Sequence, residues 1–104
     1  MTPTQSKAVE RFRAFLNREI ARYVEKYGAE VRDFRVNENE YFISVTARTE
    51  YMGLPAGNVL RALDCKFWHV FIGKRGGIQV ITCPDEFKQF AGRRAFGMKF
   101  RCDV

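Results

Sequence analysis

Any proton-transfer chemistry in this chain centres on His69, its single histidine, which lies inside the aromatic run Phe67-Trp68-His69-Val70-Phe71. A histidine can act as general acid or base near neutral pH. Nucleophilic catalysis would also need a nucleophile and an orienting group, and no motif such as G-x-S-x-G is present. RNA cleavage needs less: one proton-transfer group plus cations to stabilise the phosphorane. His69 with Arg75, Arg93 and Arg94 could supply that in a small ribonuclease. The plainer role for a lone strand histidine is structural. The chain is therefore read as a binding protein rather than an enzyme, with no catalytic residues.

Metal chemistry is the next possibility. Cys65, His69, Cys83 and Cys102 are potential ligands. Structural zinc usually draws on tight pairs such as C-x₂₋₄-C, and only Cys65-x₃-His69 comes near that spacing. Neither a metal nor a cofactor is expected. Three widely spaced cysteines also make a poor disulfide framework. Reduced thiols packed as small hydrophobes fit better. With no apolar signal core in the opening residues, the expected location is cytoplasmic.

Phosphate recognition is better represented. Gly73-Lys74-Arg75-Gly76-Gly77 is glycine-rich and basic, but it joins two strand patterns and lacks the G-x-x-x-x-G-K-[ST] spacing. It is either an ordinary hairpin loop or a basic finger for a phosphate backbone. Residues 94–100 partly match an RNA-recognition-motif signature, but Ala95, Met98, Lys99 and Arg101 break it, and the element order is wrong for that fold. What remains is an aromatic and basic combination. Phe67, His69 and Phe71 alternate on one strand face, with Lys74, Arg75, Arg93, Arg94, Lys99 and Arg101 further along. Stacking rings in a positive groove hold single-stranded nucleic acid without reading its sequence. The competing arrangement buries those rings under short helices or a second subunit.

The charge is unevenly spread. Residues 1–65 carry ten Lys/Arg against nine Asp/Glu (+1), and residues 66–104 carry eight against three (+5), which together make the net +6. A basic C-terminal part points to an anionic partner, nucleic acid first. No apolar run approaches the roughly 20 residues that span a bilayer, so no membrane partner is expected. The 104 residues, 46% hydrophobic and 14% aromatic, suit a single domain with a bulky core.

These residues must be positioned by a small α+β framework. Thr2 as N-cap, Pro3 at the first helical position and Gln5 form a capping-box pattern. Val9, Phe12, Leu16, Ile20, Tyr23, Val24 and Tyr27 recur at helical spacing until Gly28, predicting a helix over 3–27. Arg11, Arg18, Arg22 and Lys26 fall opposite that stripe, with Phe15 near its edge. Val31–Val36 is a strand whose parity slips before Phe34, predicting a bulge. After the turn Asn37–Glu40, a strand over 41–48 places Tyr41, Ile43, Val45 and Ala47 on one face and Phe42, Ser44, Thr46 and Arg48 on the other. A loop over 49–58 leads to a helical turn through Val59, Leu60 and Leu63.

The hairpin 66–72/78–83 places Trp68, Val70, Ile72, Ile78 and Val80 on one face. Phe67, His69, Phe71, Gln79, Ile81 and Cys83 then share the other. Pro84-Asp85-Glu86 opens a short helix carrying Phe87 and Phe90. The run 96–104 reads as one strand with Met98, Phe100, Cys102 and Val104 inward and Lys99, Arg101 and Asp103 outward.

The expected fold is α+β: a long N-terminal helix on a mainly antiparallel sheet of about five strands, with one or two short helices. The expected function is a basic, non-enzymatic nucleic-acid-binding accessory domain, for DNA or RNA. The alternative is a protein-interaction or inhibitor module of phage, viral or mobile-element origin, using an uncovered aromatic sheet face as a partner patch or homodimer interface.

Overall fold

The computed structural model describes the backbone of residues 1–51 and 65–102. The expected loop over 49–58, beyond its first residues, and the helical turn at Val59–Leu63 lie outside the described residues, as do Asp103 and Val104.

Helix α1 spans Pro3–Tyr27. Its start is the reciprocal capping box: the Gln5 amide N–H donates to Thr2 Oγ1 at 3.1 Å, and the Thr2 amide N–H donates to Gln5 Oε1 at 3.0 Å. Ala8, Val9, Phe12, Phe15, Leu16 and Ile20 are buried beneath the helix. The apolar stripe is therefore wider than the heptad-like spacing alone implied. Phe15, placed at the margin by its helical angle, is only 2% exposed. Its ring meets Trp68 at 5.6 Å and Phe87 at 5.9 Å, so neighbours from two other elements close over it.

Six strands follow: β1 (Ala29–Glu38), β2 (Phe42–Tyr51), β3 (Cys65–Gly73), β4 (Ile78–Thr82), β5 (Arg94–Ala95) and β6 (Met98–Phe100). They form one sheet in the order β1-β2-β3-β4-β6-β5. All neighbours are antiparallel except β4 and β6, which run parallel with Val80 opposite Phe100. A parallel pair needs a crossover. Here the crossover carries a 3₁₀ helix, Asp85–Phe90, whose Phe87 is buried. Ile43, Val45 and Ala47 of β2, Trp68, Val70 and Ile72 of β3, Ile78 and Val80 of β4, and Met98 and Phe100 of β6 form the core with α1.

Three details differ from the pattern read along the chain, while the bulge expected in β1 is present. The hairpin turn begins later, at Asn39, whose Oδ1 accepts the amide N–H groups of Tyr41 and Phe42 at 2.8 Å each. Tyr41 therefore belongs to the turn and is exposed, not part of the inward row. The expected bulge in β1 lies between Arg32 and Arg35, with Asp33 at φ 53°. A second, unexpected irregularity lies in β4, where Val70 pairs with Val80 but His69 pairs with Thr82. One extra residue reverses the parity beyond it. Cys83 is therefore buried in the core instead of sharing a face with His69.

The final run is not one strand. It breaks at Phe96-Gly97 into the β5–β6 hairpin, both residues having positive φ, 56° and 74°. Met98, Phe100 and Cys102 point inward as the alternation required, and Lys99 and Arg101 are exposed.

Candidate functional site

The helix and the 3₁₀ segment cover one face of the sheet, and among the described residues nothing covers the other. Register determines what stands on that open face. Thr46 lies opposite His69, Ser44 opposite Phe71 and Arg48 opposite Phe67. Gln79 lies opposite Phe71, and across the parallel pair Lys99 lies opposite Gln79. Arg94 lies opposite Lys99 on the short edge strand. Directly opposed residues point the same way.

The centre of this face is aromatic. Phe42 and Phe71 pack with ring centroids 4.5 Å apart, and His69 meets Phe71 edge-on at 4.9 Å. Phe67 is 46% exposed, high for a phenylalanine on a central strand. His69 Nε2 and the Ser44 hydroxyl share a hydrogen bond of 2.9 Å, which fixes the imidazole plane in the row.

The two flanks differ electrically. On the β1–β2 side cations and acids neutralise each other. Arg32 pairs with Glu30 and, at 3.0 Å, with Glu50, and Arg48 pairs with Asp33. On the β6–β5 side Arg94, Lys99 and Arg101 are exposed, and among the described residues no ion pair involves them. Arg101 only donates to the neutral amide Oε1 of Gln79 at 3.4 Å. Strands spaced about 4.8 Å apart put the β6 cations roughly 10 Å from the β3 rings.

The structure thus gathers Phe67, His69, Phe71, Lys99, Arg101 and Arg94 on one face and separates the other candidates from it. Lys74 and Arg75 stand at the β3–β4 turn, and Arg75 lines a hollow of about 230 Å³ with Lys7 and Arg11 of α1. Gly76 seats that turn on the helix, with its carbonyl accepting from Arg11 Nη2 at 3.3 Å. Arg93 is exposed just before β5, its carbonyl accepting the Phe100 amide N–H at 2.9 Å. Arg75, Arg93 and Arg94 do not converge on His69, whose polar partner is Ser44.

Phe42 and Ser44 are members of the open face that the candidate set lacked. The alternation along β2 already put them on one face, but only the β2–β3 register brings them to Phe71 and His69. Lys7 was missed because its neighbour Arg75 is 68 positions away in the chain.

Cys83 and Cys102 lie together on the core side, their Sγ atoms 3.5 Å apart. Burial, reinforced by the hydrogen bond with Cys102, pushes the Cys83 thiol up to about 12. His69 is on the opposite face from this pair, so strand parity does not bring the three together. Among the described residues no helix is long and apolar enough to cross a membrane.

No protein-family model, curated protein or solved structure matches this chain.

Proposed function

We propose that the protein binds single-stranded nucleic acid on the open sheet face, without catalysing a reaction on it. The carrying observation is the row of half-buried Phe42, Phe71 and His69 with exposed Phe67, left open by the described residues, beside Arg94, Lys99 and Arg101, which have no ionic partner among those residues. Bases stack on such rings whatever their identity, and the flanking cations meet the phosphates. The neutralised β1–β2 flank gives the face a polarity, so the backbone of a bound strand favours the β6–β5 side.

Fluorescence anisotropy with a labelled oligodeoxythymidine tests this. Stacking of about 1–3 kcal/mol per base predicts that Phe67→Ala weakens binding roughly 5- to 150-fold. The paired change Lys99→Gln/Arg101→Gln should lower the salt slope of log K by about 0.7 per lost phosphate contact. No binding at low salt, or full affinity in both variants, would sink the proposal.

A second reading comes from the exposed Phe67 ring. Two copies related by a twofold axis could pack this face on itself, rings inward. Sedimentation equilibrium separates the two readings: a dimer that Phe67→Glu dissociates, with no oligonucleotide binding, supports self-association instead.

A further inference from the structure

The two-residue turn between β5 and β6 carries an unusual side chain. Paired positive φ values at Phe96 (56°) and Gly97 (74°) define a turn that favours asparagine or glycine at its first position. A bulky phenylalanine rarely adopts that backbone. Phe96 nevertheless holds it while 49% exposed, with its ring 5.2 Å from Phe15 and 5.2 Å from Phe90. One ring face rests on the core aromatics, and the remainder is open to solvent.

Beside that ring lies a groove of about 330 Å³ between α1 and the turn. Phe15, Ile78, Phe96 and Met98 supply its apolar wall, and Arg11 and Arg18 its rim. Arg11 also lines a second hollow with Lys7 and Arg75, so the two spaces share one guanidinium as a common wall. Among the described residues no carboxylate lines either space. Among the described residues Lys7, Arg18 and Arg75 have no ionic partner, and Arg11 uses one N–H on the Gly76 carbonyl, leaving others for a ligand. Lys7, Arg11 and Arg18 fall within about 40° of one another around the helix, which makes them a single stripe at 100° per residue.

An apolar wall with an aromatic face beneath a cationic rim fits a planar base that carries a phosphate. The same β5–β6 hairpin bears Arg94 and Lys99 on the open side of the sheet and Phe96 at its turn. Because β5 is only two residues long, the sheet edge between the two surfaces is narrow.

We infer that a bound single strand turns over the β5 edge and seats one nucleotide in this groove. Its base lies against Phe96, its phosphate meets Arg11 and Arg18, and the next phosphate meets Lys7 and Arg75. This rests on the proposed open-face binding and extends it to the helix side of the molecule.

Oligodeoxythymidines of about 5 and about 15 nucleotides, spanning the site sizes of single-strand binders, separate the two surfaces. Arg18→Gln changes an exposed side chain on the helix. Phe96→Asn removes the ring while supplying a residue that suits the left-handed turn. Each variant should bind the 15-mer at least about fivefold more weakly and leave 5-mer affinity unchanged. Arg18→Gln should also lower the 15-mer salt slope by about 0.7. Unchanged 15-mer binding in Arg18→Gln, or equal losses on both lengths, overturns the wrapping path while leaving the open face intact. If the wild-type protein binds neither length, the open-face reading falls, and the groove assignment with it.

Discussion

Gly76 joins the β3–β4 turn to the start of α1, and replacing it by alanine should loosen that joint measurably. Its φ of +82° lies where L side chains are disfavoured, and a Cβ there would sit 2.8 Å from Thr4 Cγ2 and 3.4 Å from the Thr4 carbonyl oxygen. The backbone part costs about 1 kcal/mol, as for other non-glycine residues in the left-handed region. The contact part forces Thr4 off its rotamer or lifts the turn, at a further ~1 kcal/mol. Gly76→Ala is therefore expected to lower stability by about 2 kcal/mol, or roughly 8–16 °C in Tm for a domain of this size.

Thermal and urea denaturation of the two single variants and the double variant resolve the two parts. Thr4→Ala alone should stay within about 0.5 kcal/mol of wild type. The double variant should recover about 1 kcal/mol relative to Gly76→Ala, because deleting Cγ2 relieves the contact and leaves the backbone cost. A Gly76→Ala protein within about 0.5 kcal/mol of wild type would refute the account. So would a double variant no more stable than Gly76→Ala.

Three further outcomes follow from the buried thiol pair and the capping box. Cys83 should resist alkylation, because its thiol is pushed from 9.0 up to about 12 by burial and by the bond to Cys102. Iodoacetamide should label it at pH 8 at least about tenfold more slowly in the folded than in the unfolded protein, since the thiolate is the nucleophile; labelling at a free-thiol rate would contradict that environment. The raised value favours the protonated thiol on folding, so this contribution to stability is complete below about pH 9 and fades as pH rises toward 12. Thr2→Ala should cost about 1 kcal/mol in urea denaturation by removing the acceptor for the Gln5 amide N–H, whereas Thr2→Ser should retain most of it. Equal stability in the two variants would show that the capping box is not what holds the helix start.

The local chemistry of this chain was legible in its sequence. The capping residues, the 3.6-residue apolar spacing to Gly28, the alternation in β2 and β3 and the slip in β1 all act between near neighbours. Each leaves its mark within a few positions, which is why α1 appears at Pro3–Tyr27 and the rows Trp68, Val70, Ile72 and Phe67, His69, Phe71 separate as expected. Lys99 and Arg101 fell outward for the same reason.

Tertiary structure decided what required partners distant along the chain. One extra residue in β4 turned Cys83 into the core, because side-chain parity reverses at a bulge and no composition rule marks that position. Phe15 was buried by rings from β3 and the 3₁₀ segment, not by its helical angle. The last apolar run folded back at Phe96-Gly97 so that β6 could pair with β4, leaving a large ring in a backbone region its own propensity avoids. The basic turn and the basic helix stripe, separate along the chain, met where Gly76 lets the backbone approach Thr4. Sequence alone put Phe67, His69 and Phe71 in one alternating row close along the chain to the basic Lys74 and Arg75. Only strand register decided which of them share a face with His69, because that depends on pairings between segments distant along the chain.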